Sequence, residues 1–128
     1  VRATLVNAVH SSGITGADGI VAGGEAGGWV LDFPGGPTIY HVGDTALFSD
    51  LSLVPELFQP DIALLPIGGH FTMGPEVAAR AGKMLQVETV IPIHFGTFPI
   101  LTGTPDQLSD AAAGAFEVPS LDIGTPVS

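Results

Sequence analysis

Short apolar runs, separated by glycine and proline punctuation, set the rhythm of the chain. Residues 3–9 (ATLVNAV), Trp29 to Phe33 (WVLDF), Thr38 to Val42 (TIYHV), Ile62 to Pro66 (IALLP) and Glu88 to Ile93 (ETVIPI) each read as a strand. IALLP is apolar throughout, as expected for a strand in a sheet covered on both faces. Pro34-Gly35-Gly36-Pro37 joins two of these runs and predicts a hairpin turn. Residues 13–28 (GITGADGIVAGGEAGG) show no periodicity and read as a loop. Helical patterns fill the intervals. Ser49 to Phe58 predicts a short helix, with Ser52 as N-cap and Pro55 in the first turn, broken by Gln59-Pro60-Asp61. Pro75 to Gln86 sets Val77, Ala78, Ala81, Met84 and Leu85 along one stripe. Thr104-Pro105-Asp106-Gln107 is a capping-box pattern that opens a helix through about Phe116. Val118 to Ile123 predicts a last strand. Helices alternating with apolar strands give the α/β class, and no repeat or linker divides the chain.

Composition narrows the function. The 128 residues suit one domain, and a 45% hydrophobic content excludes global disorder. With 18 Gly and 11 Pro, a coiled coil or long helical bundle is excluded. Thirteen acids against three bases give a net charge of −10. Only Arg2, Arg80 and Lys83 could meet phosphates, so nucleic acid and anionic membrane surfaces are excluded as partners. Cysteine is absent, which rules out a disulfide framework or thiolate metal site and fits a reducing, cytoplasmic compartment. No apolar stretch reaches the length of a membrane-spanning helix, and no signal-peptide pattern is present. The chain opens on Val1, already inside a strand, which leads us to expect the later part of a longer protein.

Candidate chemistry recurs at strand ends. ATLVNAV runs into His10, TIYHVG into Asp44 and TVIPI into His94. Residues at the carboxyl ends of neighbouring strands converge on one edge of a sheet. Two imidazoles and a carboxylate suit Zn²⁺, Fe²⁺ or Mn²⁺, and the carboxylate can bridge two ions. Each residue also has a plainer reading. A histidine at a strand end is often a hydrogen-bonded structural residue, and Asp in Gly-Asp-Thr is by default a turn residue. His70, in GGHFTMG, is either a substrate-facing imidazole or a loop residue satisfied by backbone. His41 reads as structural, or as orienting a ligand. Ser11, Ser12 and Thr45 either bond the ligands or cap loop backbone. Phe71, Met73, Phe95 and Phe98 line a pocket or fill the core.

Four blocks in order then carry a resemblance: AVHSSG (8–13), TIYHVGDTALFSDL (38–51), PDIALLPIGGHFTMGPEVAARA (60–81) and VIPIHFGTFPIL (90–101). Together they resemble the metallo-β-lactamase superfamily. More narrowly, they resemble its uncharacterised metal-dependent hydrolases, in the branch of the L-ascorbate-6-phosphate lactonase-like proteins. The resemblance implies an αββα sandwich with one or two metal ions, Zn²⁺ foremost and Mn²⁺ or Fe²⁺ as alternatives. It implies His10, Asp44 and His94 as metal ligands, with Asp44 bridging and catalytic; His70, from its loop position alone, is the further catalytic candidate. The superfamily's His-x-His-x-Asp-His motif belongs to the first half of the fold and does not occur in this sequence. The expectation is therefore that residues 1–128 form the C-terminal half of a hydrolase domain and need an N-terminal half as partner. The assembled protein would cleave a lactone, ester, amide or phosphodiester in a small-molecule substrate. The alternative is a non-catalytic binding or structural module that retains the fold. An exposed sheet face would also favour a homo-oligomer.

Overall fold

The computed structural model describes residues 1–122, 124 and 125. Its strands are β1 (Arg2–Asn7), β2 (Gly13–Gly16), β3 (Gly19–Ala22), β4 (Gly27–Asp32), β5 (Thr38–His41), β6 (Ile62–Pro66) and β7 (Thr89–Ile93). Its helices are α1 (Leu53–Phe58), α2 (Pro75–Leu85) and α3 (Pro105–Ala112), and a 3₁₀ turn at Ser49–Ser52 leads into α1.

Five strands form one sheet in the order β1-β4-β5-β6-β7. β1 and β5 flank β4 antiparallel, while β5, β6 and β7 run parallel. Four strands, β1, β5, β6 and β7, therefore point the same way. Parallel neighbours need crossovers, and α1 and α2 supply them.

The register separates two faces. Thr4, Val30, Tyr40, Ala63 and Val90 lie side by side across the sheet. Val30, Tyr40, Ala63 and Val90 from this row pack in the core with Leu51, Val54, Ala78, Leu85 and Leu108 beneath the helices. Burial of each large side chain of this kind contributes roughly 1.5–3 kcal/mol. The next row is Leu5, Trp29, His41, Leu64 and Ile91, and it faces the other way. That row is largely open to solvent: Leu5 is 62% and Trp29 47% exposed and His41 is exposed, while Leu64 and Ile91 are half-buried. The fold is thus α/β, with helices on one side of the sheet. IALLP departs from its expectation, because Ala63 and Leu65 are buried while Ile62 and Leu64 are only half-buried.

Other local expectations also change. Residues 13–22 are not a loop but a β2–β3 hairpin, pairing Ile14 with Val21 and Thr15 with Ile20. Every residue of both strands is exposed, so no buried side declared the pairing in the sequence. The predicted N-cap Ser52 makes no capping bond; it lies in helical backbone and its hydroxyl donates to the Ser49 carbonyl. Val77 leaves the stripe on α2 for solvent, and Ala79 and Gly82 are buried instead. α3 ends at Ala112 rather than near Phe116, because Ala113 turns left-handed at φ 52° ahead of Gly114. The tail strand does not form over residues 118–122; Glu117 alone makes a bridge, to Thr89, and Ile123 lies outside the described residues. Pro92 is accommodated because β7 is an edge strand.

Candidate metal centre

β1, β5 and β7 share a direction, so the segments after them meet at one edge of the sheet. β1 and β7 are its outermost strands and β5 its central one. The segments after both outer strands lean inward. His94 Nε2 lies 3.5 Å from Asp44 Oδ2, and His10 Nε2 lies 4.0 Å from the same oxygen. Both contacts are long for a hydrogen bond, whose usual span is about 2.7–3.2 Å. Ligand atoms about 2.1 Å from a tetrahedral ion stand roughly 3.4 Å apart, close to the His94–Asp44 spacing.

The three side chains expected from the sequence are therefore neighbours around one carboxylate oxygen. They do not form a closed cage: among the described residues, no group of three or more His, Cys, Asp or Glu is gathered to hold a metal ion. The donor types suit a divalent cation, and the set is short in number and in support. His94 Nδ1 is buried without a hydrogen-bond partner. A metal-ligating histidine ordinarily gives that second nitrogen's proton to a neighbouring acceptor.

Local backbone explains how each residue reaches the edge. His94 sits at φ 53°, so the chain swings sharply as it leaves β7. For a residue other than glycine this is a strained conformation, costing of order 1–3 kcal/mol. Gly68 makes room for it, since a Cβ there would overlap the His94 carbonyl oxygen. The Ile67 N–H donates to the Ile93 carbonyl at 3.0 Å. On the other side, fully buried Thr45 ties two loops together. Its Oγ1 accepts the Val9 N–H at 2.9 Å and donates to the Ala46 carbonyl at 2.9 Å. The Ala46 N–H donates to the Val9 carbonyl at 2.9 Å. This clamp fixes the residues beside His10 and Asp44, so Thr45 bonds loop backbone rather than a ligand. Between β5 and Asp44, Gly43 adopts φ 70°, and its N–H donates to His41 Nδ1 at 3.1 Å.

His70 follows β6 at the same edge, exposed and left-handed at φ 56°. Its ring meets Phe71 edge-on, with centroids 4.3 Å apart. Among the described residues, no hydrogen bond or ion pair joins His70 to Asp44. Ser12 bonds the Gly24 carbonyl at the base of the hairpin. Phe71 and Phe98 are exposed, Met73 is core, and Phe95 packs partly against the core. A concavity of about 550 Å³ lies between the start of α2 and one side of α3, with Gly68, Gly69, Glu76, Gln107 and Asp110 in its wall. None of His10, Asp44 or His94 lines it.

The chain matches the model of the beta-lactamase superfamily domain over residues 1–95. A UPF0173 metal-dependent hydrolase of Koribacter versatilis is 55% identical over 108 residues, covering 84% of this chain and 46% of that protein. A UPF0173 metal-dependent hydrolase of Solibacter usitatus is 48% identical over 128 residues, covering 99% of this chain and 56% of that protein. Among solved structures, Igni18, a metallo hydrolase from the archaeon Ignicoccus hospitalis, superposes with a TM-score of 0.80 at 36% identity. The match covers 98% of this chain and 51% of Igni18. The chain thus spans about half the length of the curated relatives it matches.

Proposed function

The chain belongs to the metallo-β-lactamase superfamily and is similar to UPF0173 metal-dependent hydrolases, and on that premise we propose that it contributes half of a hydrolytic metal centre. His10, Asp44 and His94 are the ligands in this reading, and an N-terminal half of the same fold provides the rest. The observation that carries it is the convergence of two Nε2 atoms on Asp44 Oδ2, at 3.5 and 4.0 Å, from three distant segments.

When bound, one or two ions, Zn²⁺ first and Mn²⁺ or Fe²⁺ as alternatives, lower the pKa of water to about 7 and polarise the scissile bond. Asp44 would supply the negative charge of the ligand set, as the bridging carboxylate if two ions bind. His10 and His94 would each offer an Nε2 atom beside that carboxylate, at 4.0 and 3.5 Å. His70, exposed at the same edge, faces the substrate. The substrate is a small molecule with a lactone, ester, amide or phosphodiester bond. With three basic residues against thirteen acids, this half disfavours a polyanion. The proposed setting is the cytoplasm; among the described residues, no helix is long and apolar enough to cross a membrane.

The test uses the chain joined to its N-terminal half, with Zn²⁺ content and hydrolysis of p-nitrophenyl acetate and bis(p-nitrophenyl) phosphate as readouts. Asp44→Ala is expected to lose most of the bound metal and at least 100-fold in turnover. Unchanged metal content and turnover would overturn the assignment. The lack of a closed three-ligand group among the described residues favours a second reading, a non-catalytic module that retains the fold. Metal-free, inactive but stably assembled wild-type protein would establish that alternative.

A further inference from the structure

His41 stands on the uncovered sheet face, in register with Trp29 and Leu64, three residues before Asp44. Its ring folds back so that Nδ1 accepts the Gly43 N–H at 3.1 Å. Gly43 is left-handed at φ 70°, and a Cβ there would come within 2.6 Å of the Gly27 carbonyl oxygen. The turn out of β5 is thus confined sterically on one side and held by an imidazole on the other. Asp44 is the next residue.

We propose that His41 is a positioning residue for Asp44. By holding the Gly43 amide it sets the direction in which the Asp44 carboxylate leaves the strand, toward the Nε2 atoms of His10 and His94. An imidazole that accepts at Nδ1 carries its proton at Nε2 when neutral. Its far nitrogen therefore offers a donor and not a lone pair, which separates His41 from the histidines that present Nε2 to Asp44. The hydrogen bond reaches two residues ahead, the same reach by which an asparagine or aspartate side chain closes a turn on its own backbone. Asparagine at position 41 can then replace the bond, whereas alanine cannot.

The inference rests on the metal-centre reading above, and the test keeps the two apart. The chain joined to its N-terminal half is titrated with Co²⁺, followed by its visible absorption and by ¹H–¹⁵N spectra of the Gly43 amide and the histidine side chains. In the wild type, Co²⁺ is expected to perturb His10 and His94, with His41 in the Nε2–H tautomer. His41→Ala should weaken Co²⁺ binding about 10- to 100-fold and shift the Gly43 amide, as loss of a ligand-orienting partner does. His41→Asn should bind within about threefold of the wild type. Equal affinity in wild type and His41→Ala would overturn the inference while leaving the centre intact. So would a folded His41→Asn that binds as weakly as His41→Ala, because the imidazole itself would then be required. Wild-type protein, joined to its N-terminal half, whose His10 and His94 ignore Co²⁺ would overturn the metal centre, and this inference with it.

Discussion

Tyr40 is the chain's single tyrosine, and it lies in the core row of β5 with 1% of its surface exposed. Burial pushes its phenol up to about 12. The folded chain keeps Tyr40 neutral at a pH where the unfolded chain already ionises it. The resulting stabilisation is complete below pH 10 and is lost as the pH climbs toward 12. Tyrosinate absorbance and loss of helical circular dichroism are therefore expected to rise together in that interval. Tyr40→Phe should move the alkaline unfolding midpoint upward. A tyrosinate titration finished near pH 10 in a still-folded chain would contradict this. At the same scale, His10, Asp44 and His94 were legible because each follows an apolar run, and topology did the rest. Thr45 as a loop cap and His41 as an orienting group stood among the alternatives, but the particular bonds they make did not show. One crosses to the Val9 loop and the other depends on the left-handed turn at Gly43, and neither leaves a periodic trace.

Elements were readable wherever one face is buried or a cap is spelled out. α3 shows both. Thr104 Oγ1 accepts the Gln107 N–H at 3.3 Å, and Gln107 Oε1 accepts the Thr104 N–H at 3.0 Å, the reciprocal pair anticipated from four residues. Thr104→Ala should lower stability by about 1 kcal/mol in urea unfolding. A loss below experimental error would mean that packing of Leu108 and Ala112 alone holds the helix start. The β2–β3 hairpin marks the opposite limit. Its strands alternate nothing, because both sides of Ile14, Ile20 and Val21 meet solvent. The end of α3 is hidden in the sequence for a related reason: Ala111, Ala112 and Ala113 are equally good helix formers, and the stop comes from the left-handed step at Ala113.

Across the molecule, the helices crowd one side of the sheet and leave Leu5, Trp29, His41, Leu64 and Ile91 on the other. An apolar sheet face of this kind ordinarily packs against a second sheet about 10 Å away. Trp29 is the chain's single tryptophan, so its fluorescence reports that face alone. The isolated chain is expected to self-associate with concentration in sedimentation velocity. Adding the proposed N-terminal half should replace that association with a one-to-one complex and shift Trp29 emission to shorter wavelength. Emission that stays unchanged in a formed complex would place the partner elsewhere.

The inward lean of the segments after the two rim strands has a mechanical side. A cation gripped by His10, Asp44 and His94 would act as a drawstring, cinching both margins of the sheet to its midline.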